Sequence, residues 1–318
     1  MIHPARSALR LARPALLPFV LALPALGWAY AHWERARPLT GADALPWVLA
    51  AWTALHAGTL WLNAARDRDR GPVLLGQPAP VPAGLVPTGA VALGASVALA
   101  LRAGAAPAGV TALAVVLSVA YSWPSASAKA HPVGGPLVNV VGYGFLSPCA
   151  GASLVGDPPT PRALVVLLLH ALGILGCFLV AQAFQGPEDR ARGDRTFVAR
   201  YGAAATITAA RACFAAVGLG VAVLGLAGWW PRLVLLALPG LAVADRALRR
   251  WAAEGESAGP EGAIAVARRL AWTVVAAVTL AGVHHVGESL AGRPVAGLGT
   301  AAGHPADVPR LAPLARRP

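Results

Sequence analysis

Apolar runs of about 17 to 25 residues, long enough to cross a bilayer as helices, recur along this chain and constrain its fold more than any other feature. They lie near 11–32, 44–62, 85–101, 106–122, 135–155, 162–184, 204–228, 232–245 and 266–286. The eighth is short and interrupted by Pro239. The expected fold is therefore an all-α integral membrane bundle of eight or nine transmembrane helices. It occupies 1–286, and 287–318 read as a flexible tail outside the membrane. Charged residues are only 13% of the chain, about half of what a soluble domain needs to cover its surface, which excludes a soluble monomer. The 57% apolar content excludes intrinsic disorder.

The net charge of +12 does not read as a nucleic-acid signal, because the basic residues sit between apolar runs instead of forming one patch. With nine spans and the N-terminus inside, 16 basic residues fall on the inner side against 5 in the short outer loops. The positive-inside rule then places the N-terminus and the acidic loops in the cytoplasm. Arg6, Arg10, Arg13 and Ala29-Tyr30-Ala31 imitate a secretory signal, but the apolar stretch is too long and further spans follow, so it is expected to stay. Pro14, Pro18 and Pro24 read as kinks within the first span, tolerable where neighbouring helices satisfy freed carbonyls. Trp28, Trp33, Trp47, Trp61, Trp229 and Trp230 fall near span ends, where an amphipathic ring prefers to sit. Cys149, Cys177 and Cys213 have no CxxC spacing and read as inert thiols.

Chemistry concentrates in the inner loops. After the second run, Asn63 and Asp67 are four apart, so one further helical turn would project both from one face; Asp69 follows. After the sixth run, Gln185 and Asp189 repeat that spacing and Asp194 follows. Carboxylate and amide oxygens so spaced suit Mg²⁺, which binds proteins through one or two carboxylates and keeps sites for phosphate oxygens. Arginines on the same loops, Arg66 among them, are placed to hold phosphate. Between the two loops in sequence, the segment 121–144 carries Lys129, the only lysine of the chain and a further candidate diphosphate contact. The competing reading of each loop is a solvated charge run that only sets topology.

The three segments together resemble the UbiA superfamily of intramembrane prenyltransferases. The family's NDxxDxxxD motif is matched by Asn63 and Asp67, with Ala64 and Gly71 at its other acidic positions and Asp69 near the last. Its DxxxD motif with GxxT and a later Gly is matched by Asp189, Gly193, Thr196 and Gly202, with Gln185 in place of the first Asp. Its YSxPxxRxK stretch is matched by Tyr121, Ser122, Pro124 and Lys129, with Ser127 where Arg is usual. The resemblance spans about 11–286. It implies transfer of an isoprenyl group from an isoprenyl diphosphate to a lipophilic or aromatic acceptor within the bilayer, with Mg²⁺ as cofactor. Asn63, Asp67, Asp189 and Lys129 are then the candidate catalytic residues. Asn63, Asp67, Asp69, Gln185, Asp189 and Asp194 are candidate metal ligands, and Lys129, Arg195, Arg66 and Tyr121 are candidate diphosphate contacts. Loss of turnover without loss of folding is expected for Asp67→Ala and Asp189→Ala.

Within the spans, His56 and His170 are candidate acceptor contacts, set against ordinary interhelical hydrogen bonding. Asn139 reads as interhelix glue, Arg211 as a snorkelling side chain, and His284 and His285 as too far from the inner loops to ligate metal there. A multi-pass transporter would place charges near the midplane in both halves with repeat symmetry, and no repeat is visible. Terpene cyclisation, or prenylation of a tetrapyrrole or lipid, would use the same loops, and the missing acidic positions also fit a weakened scaffold.

Overall fold

The structure is a computed structural model and describes residues 3–35, 37, 39, 41–67, 71, 73–76, 78–123, 128–156, 159–254 and 259–291. Long uncharged runs leave the backbone no partner but itself, so each closes its own hydrogen bonds as a helix. The helices are α1 (Pro4–Leu11), α2 (Leu17–Glu34), α3 (Leu45–Asp67), α4 (Leu85–Ala103), α5 (Ala105–Ser122), α6 (Gly134–Asn139), α7 (Ser147–Ala152), α8 (Pro161–Gln182), α9 (Gly186–Arg192), α10 (Phe197–Leu226), α11 (Leu238–Ala253) and α12 (Pro260–Leu290). Among the described residues there is no strand.

Among the described residues nine helical passages follow the nine runs, if the 3₁₀ segment Arg232–Ala237 is counted with α11 and the segment from α6 to α7 as one. Seven are long and apolar enough to cross a membrane by that measure alone. The two below it are α3, whose Trp47, Trp52, Trp61 and His56 dilute its hydropathy, and α11, which is only 16 residues long. Leu219, Leu226 and Trp272 point outward and are well exposed, as expected of a surface solvated by lipid. The tail beyond 291 lies outside the described residues.

Two local departures from the sequence expectation matter for the site. Pro14 is a boundary and not a kink: it opens a 3₁₀ turn, Pro14–Leu16, and Arg13 before it takes a left-handed conformation at φ 49°. A residue preceding proline is disfavoured in the right-handed helical region, so α1 ends there. The fifth run is not one α-helix either. Between α6 and α7 it widens into a π-helical stretch, Val140–Leu146, which carries Tyr143.

α2 and α7 approach at backbone distance. A Cβ on Gly27 would overlap the Pro148 carbonyl, and one on Gly151 would overlap the Pro24 carbonyl. The contact is reciprocal, a Pro-x-x-Gly step of one helix against the same step of the other.

Candidate active site at one end of the bundle

α3 continues through Asp67. One face of its last four turns carries Trp52, His56, Asn63 and Asp67 at helical spacing, and all four line a cavity of about 240 Å³. The cavity is bounded by residues of α2, α3, α5, the π-helical segment and α8, and its mouth by the α9 loop. At the mouth stand Asp67, Lys129, Asp189, Arg192 and Asp194. Deeper in, Phe19, Leu60, Leu117, Ile174 and Phe178 give it apolar walls.

Local geometry explains how the mouth is assembled. α9 stops at Gly193, whose φ of 80° suits a residue without Cβ, and the amide of Asp194 turns back to donate to the Asp189 carbonyl at 2.9 Å. Thr196 then caps α10, its Oγ1 accepting from the Ala199 amide at 3.3 Å. The same hydroxyl donates to Asp189 Oδ2 at 2.6 Å, so the buried Asp189 carboxylate is fixed by the cap of the next helix. The first acidic loop meets the second: the Glu188 carboxylate lies 3.0 Å from where a Cβ on Gly71 would stand. The Arg195 amide donates to the Ala130 carbonyl at 2.8 Å, which ties the Lys129 turn, Ala128–Ala130, to the α9–α10 loop.

Cations of the chain itself face these carboxylates. Lys129 Nζ pairs with Asp67. Arg192 bridges Asp189 Oδ1 at 2.6 Å, Asp194 Oδ2 at 3.0 Å and Glu188 Oε1 at 3.5 Å. Burial, aided by the nearby Arg192 guanidinium, lowers the Lys129 ammonium to about 8, against the pull of Asp194 and Asp189. Two buried amide oxygens, Asn63 Oδ1 and Gln182 Oε1, have no hydrogen-bond partner among the described residues, and both side chains line the cavity.

Of the residues singled out from the sequence, the structure gathers Asn63, Asp67, Tyr121, Lys129, Gln185, Asp189 and Asp194 around one cavity. It does not bring Arg66 or Arg195 there. Arg66 is exposed, with its guanidinium 5.1 Å from the centre of the Trp123 ring, and Arg195 is an exposed side chain that contributes only its amide. Spacing explains the first: Arg66 precedes Asp67 by one residue and so points about 100° away around the helix. Asp69 lies outside the described residues, as do Pro124 and Ser127 of the middle segment. Arg13, Arg192 and Gln182 also line the cavity. The two arginines read in sequence as ordinary inner-side charges; the signal that distinguishes Arg192 is its three-residue spacing from Asp189 on a short helix.

Among the described residues no three His, Cys, Asp or Glu side chains gather as a metal site. The oxygen donors instead combine few carboxylates with amides. Such a set fits a hard cation that retains waters and binds substrate oxygens, and the two unpartnered amide oxygens are what it would engage.

The bundle is the fold of UbiA-type membrane proteins. A UbiA homologue from Archaeoglobus fulgidus, solved bound to DMAPP and Mg²⁺, superposes with a TM-score of 0.64 at 17% identity over 87% of this chain and 99% of that one. A digeranylgeranylglyceryl phosphate synthase gives 0.57 at 13% identity over 88% and 99%. An apo UbiA homologue from Aeropyrum pernix K1 gives 0.53 at 16% identity over 91% and 100%. No protein-family model matches the sequence, and no curated protein does.

Proposed function

We propose that the chain is an intramembrane prenyltransferase that moves an isoprenyl group from an isoprenyl diphosphate to a lipophilic, aromatic acceptor. The observation that carries this reading is a single cavity with charged groups of both signs at its mouth and apolar walls behind them, matching a donor with an anionic head and a hydrocarbon tail. The solved homologue bound to DMAPP and Mg²⁺ supports it, as do the sequence motifs. Asn63, Asp67 and Asp189 would hold Mg²⁺, with Asp194, Gln185 and Gln182 beside them. When bound, the ion supplies charge neutralisation to the departing diphosphate.

The chain's own residues do the rest. Lys129 and Arg192 offer ammonium and guanidinium donors to diphosphate oxygens as negative charge builds on them. The bond between C1 of the donor and its bridging oxygen breaks, and the electron pair leaves with diphosphate. The resulting allylic cation would be sheltered from water by Leu60, Leu117 and Ile174, and the aromatic residues Phe19, Tyr121 and Phe178 line the same space, where a π-face can stabilise a cation. A nucleophilic carbon or oxygen of the acceptor then bonds to C1 and releases its proton. The basic inner loops orient the protein with this mouth and the N-terminus on the cytoplasmic side.

The test is Mg²⁺-dependent release of diphosphate from a panel of isoprenyl diphosphates by the purified protein in lipid, with a membrane extract as acceptor source. Release together with a new prenylated product is the expected result. Failure of every donor to bind with Mg²⁺ present would remove the reading. In the same assay Lys129→Met is expected to raise the KM for donor at least tenfold, in line with a charge-assisted contact worth about 1.5 to 3 kcal/mol.

A further inference from the structure

We infer that Trp52 closes the apolar end of the cavity and limits the donor to about two isoprene units, an inference that rests on the prenyl-transfer reading. On α3 the cavity-lining residues run from Asp67 at the mouth to Trp52, and none nearer the start of the helix takes part. Beyond Trp52 the helices are packed. Val48, Ala51, Ala100 and Ala150 are fully buried in one cluster with it, and their small side chains let α3 and its neighbours approach closely. Trp52 itself is 1% exposed.

The floor is held in place from the side. The Tyr143 ring meets Trp52 edge to face at 6.5 Å between centres, and the Tyr143 hydroxyl lies 3.2 Å from His56 Nδ1, one turn up α3. The widened π-helical turn thus contributes a ring that braces the indole. Trp52 has no room to swing aside without breaking these contacts.

Dimensions set the limit. From Asn63, where the diphosphate head would sit, to Trp52 is eleven residues of helix, about 16 Å at 1.5 Å per residue. Carbon–carbon contact at about 4 Å leaves about 12 Å for the tail. An extended isoprene unit advances four bonds, about 5 Å. Two units fit between the mouth and Trp52, and a longer tail must fold back or turn out of the cavity.

The deciding experiment compares initial rates of diphosphate release from the C5, C10, C15 and C20 diphosphates by the wild type in lipid and by Trp52→Leu. Wild type is expected to use C10 at least tenfold faster than C20, and Trp52→Leu to raise the C20-to-C10 ratio at least tenfold. A wild type that uses C20 as fast as C10 overturns the length limit and leaves prenyl transfer standing. An unchanged ratio in folded Trp52→Leu overturns the assignment to Trp52. Release from no donor at all overturns both this inference and the reading beneath it. The wild-type comparison needs no variant, so the length limit stays open to refutation even if Trp52→Leu misfolds.

Discussion

Asp67→Asn is expected to lower Mg²⁺-dependent diphosphate release by at least a hundredfold while the protein still inserts and purifies as a monodisperse species. The carboxylate ends α3 at the mouth of the cavity, paired with Lys129 and one turn above the unpartnered amide oxygen of Asn63. Replacing it by an isosteric amide keeps volume but removes the charge that a hard cation requires, a change of the size seen when one electrostatic stabiliser is lost from an active site, about 10²- to 10³-fold. Arg66→Gln is the control. Its side chain stacks on Trp123 away from the cavity, so activity is expected to stay within twofold. Equal losses in the two variants would move the site from the cavity to the loop. Asp189→Ala is a less clean probe than the sequence suggests. Asp189 also accepts from Thr196, the cap of α10, so this variant is expected to lose thermal stability along with turnover, whereas Asp189→Asn keeps an oxygen for that hydroxyl.

Gly27→Ala and Gly151→Ala are expected to destabilise the bundle by about 3 kcal/mol or more each, read as a fall in unfolding temperature in detergent. Overpacking ordinarily costs about 1 to 3 kcal/mol because side chains shift to make room. Here the obstructing atoms are backbone carbonyls, of Pro148 and Pro24, which have no rotamer to change. Relief requires α2 and α7 to separate, and the packing of small residues is the main source of helix association once water is absent. Gly94→Ala on α4, with nothing near its missing Cβ, is expected to be neutral or mildly stabilising. A normal unfolding temperature for Gly151→Ala would show that the two helices do not meet at this step.

Helix existence was legible in the sequence because the bilayer makes it so: an uncharged run of sufficient length has one way to satisfy its backbone. The shared face of Asn63 and Asp67 was legible for the same reason, since four residues return a helix to nearly the same side. Loops obey no such period. Arg66 and Arg195 belong to the right segments but point elsewhere, while Arg192 reaches three carboxylates from a seven-residue helix whose orientation depends on Gly193 and Thr196. Arg13 was hidden by the proline after it, which reads as a kink until the chain's break at that point is known. The π-helical widening carries no sequence signature, and with it the position of Tyr143 was out of reach.

The pairing of Lys129 with Asp67, and of Arg192 with Asp189 and Asp194, makes the mouth behave like an ion-exchange resin loaded with its own counter-ions. On the proposed function, an incoming metal–diphosphate complex would trade partners with these groups, its cation taking carboxylates and its phosphates taking the ammonium and guanidinium. Such a trade would leave each charged group with an opposite partner, at a membrane boundary where bare charge is costly. A site of this kind responds only weakly to ionic strength, in contrast to an open cationic patch, whose attraction for anions fades as salt screens it.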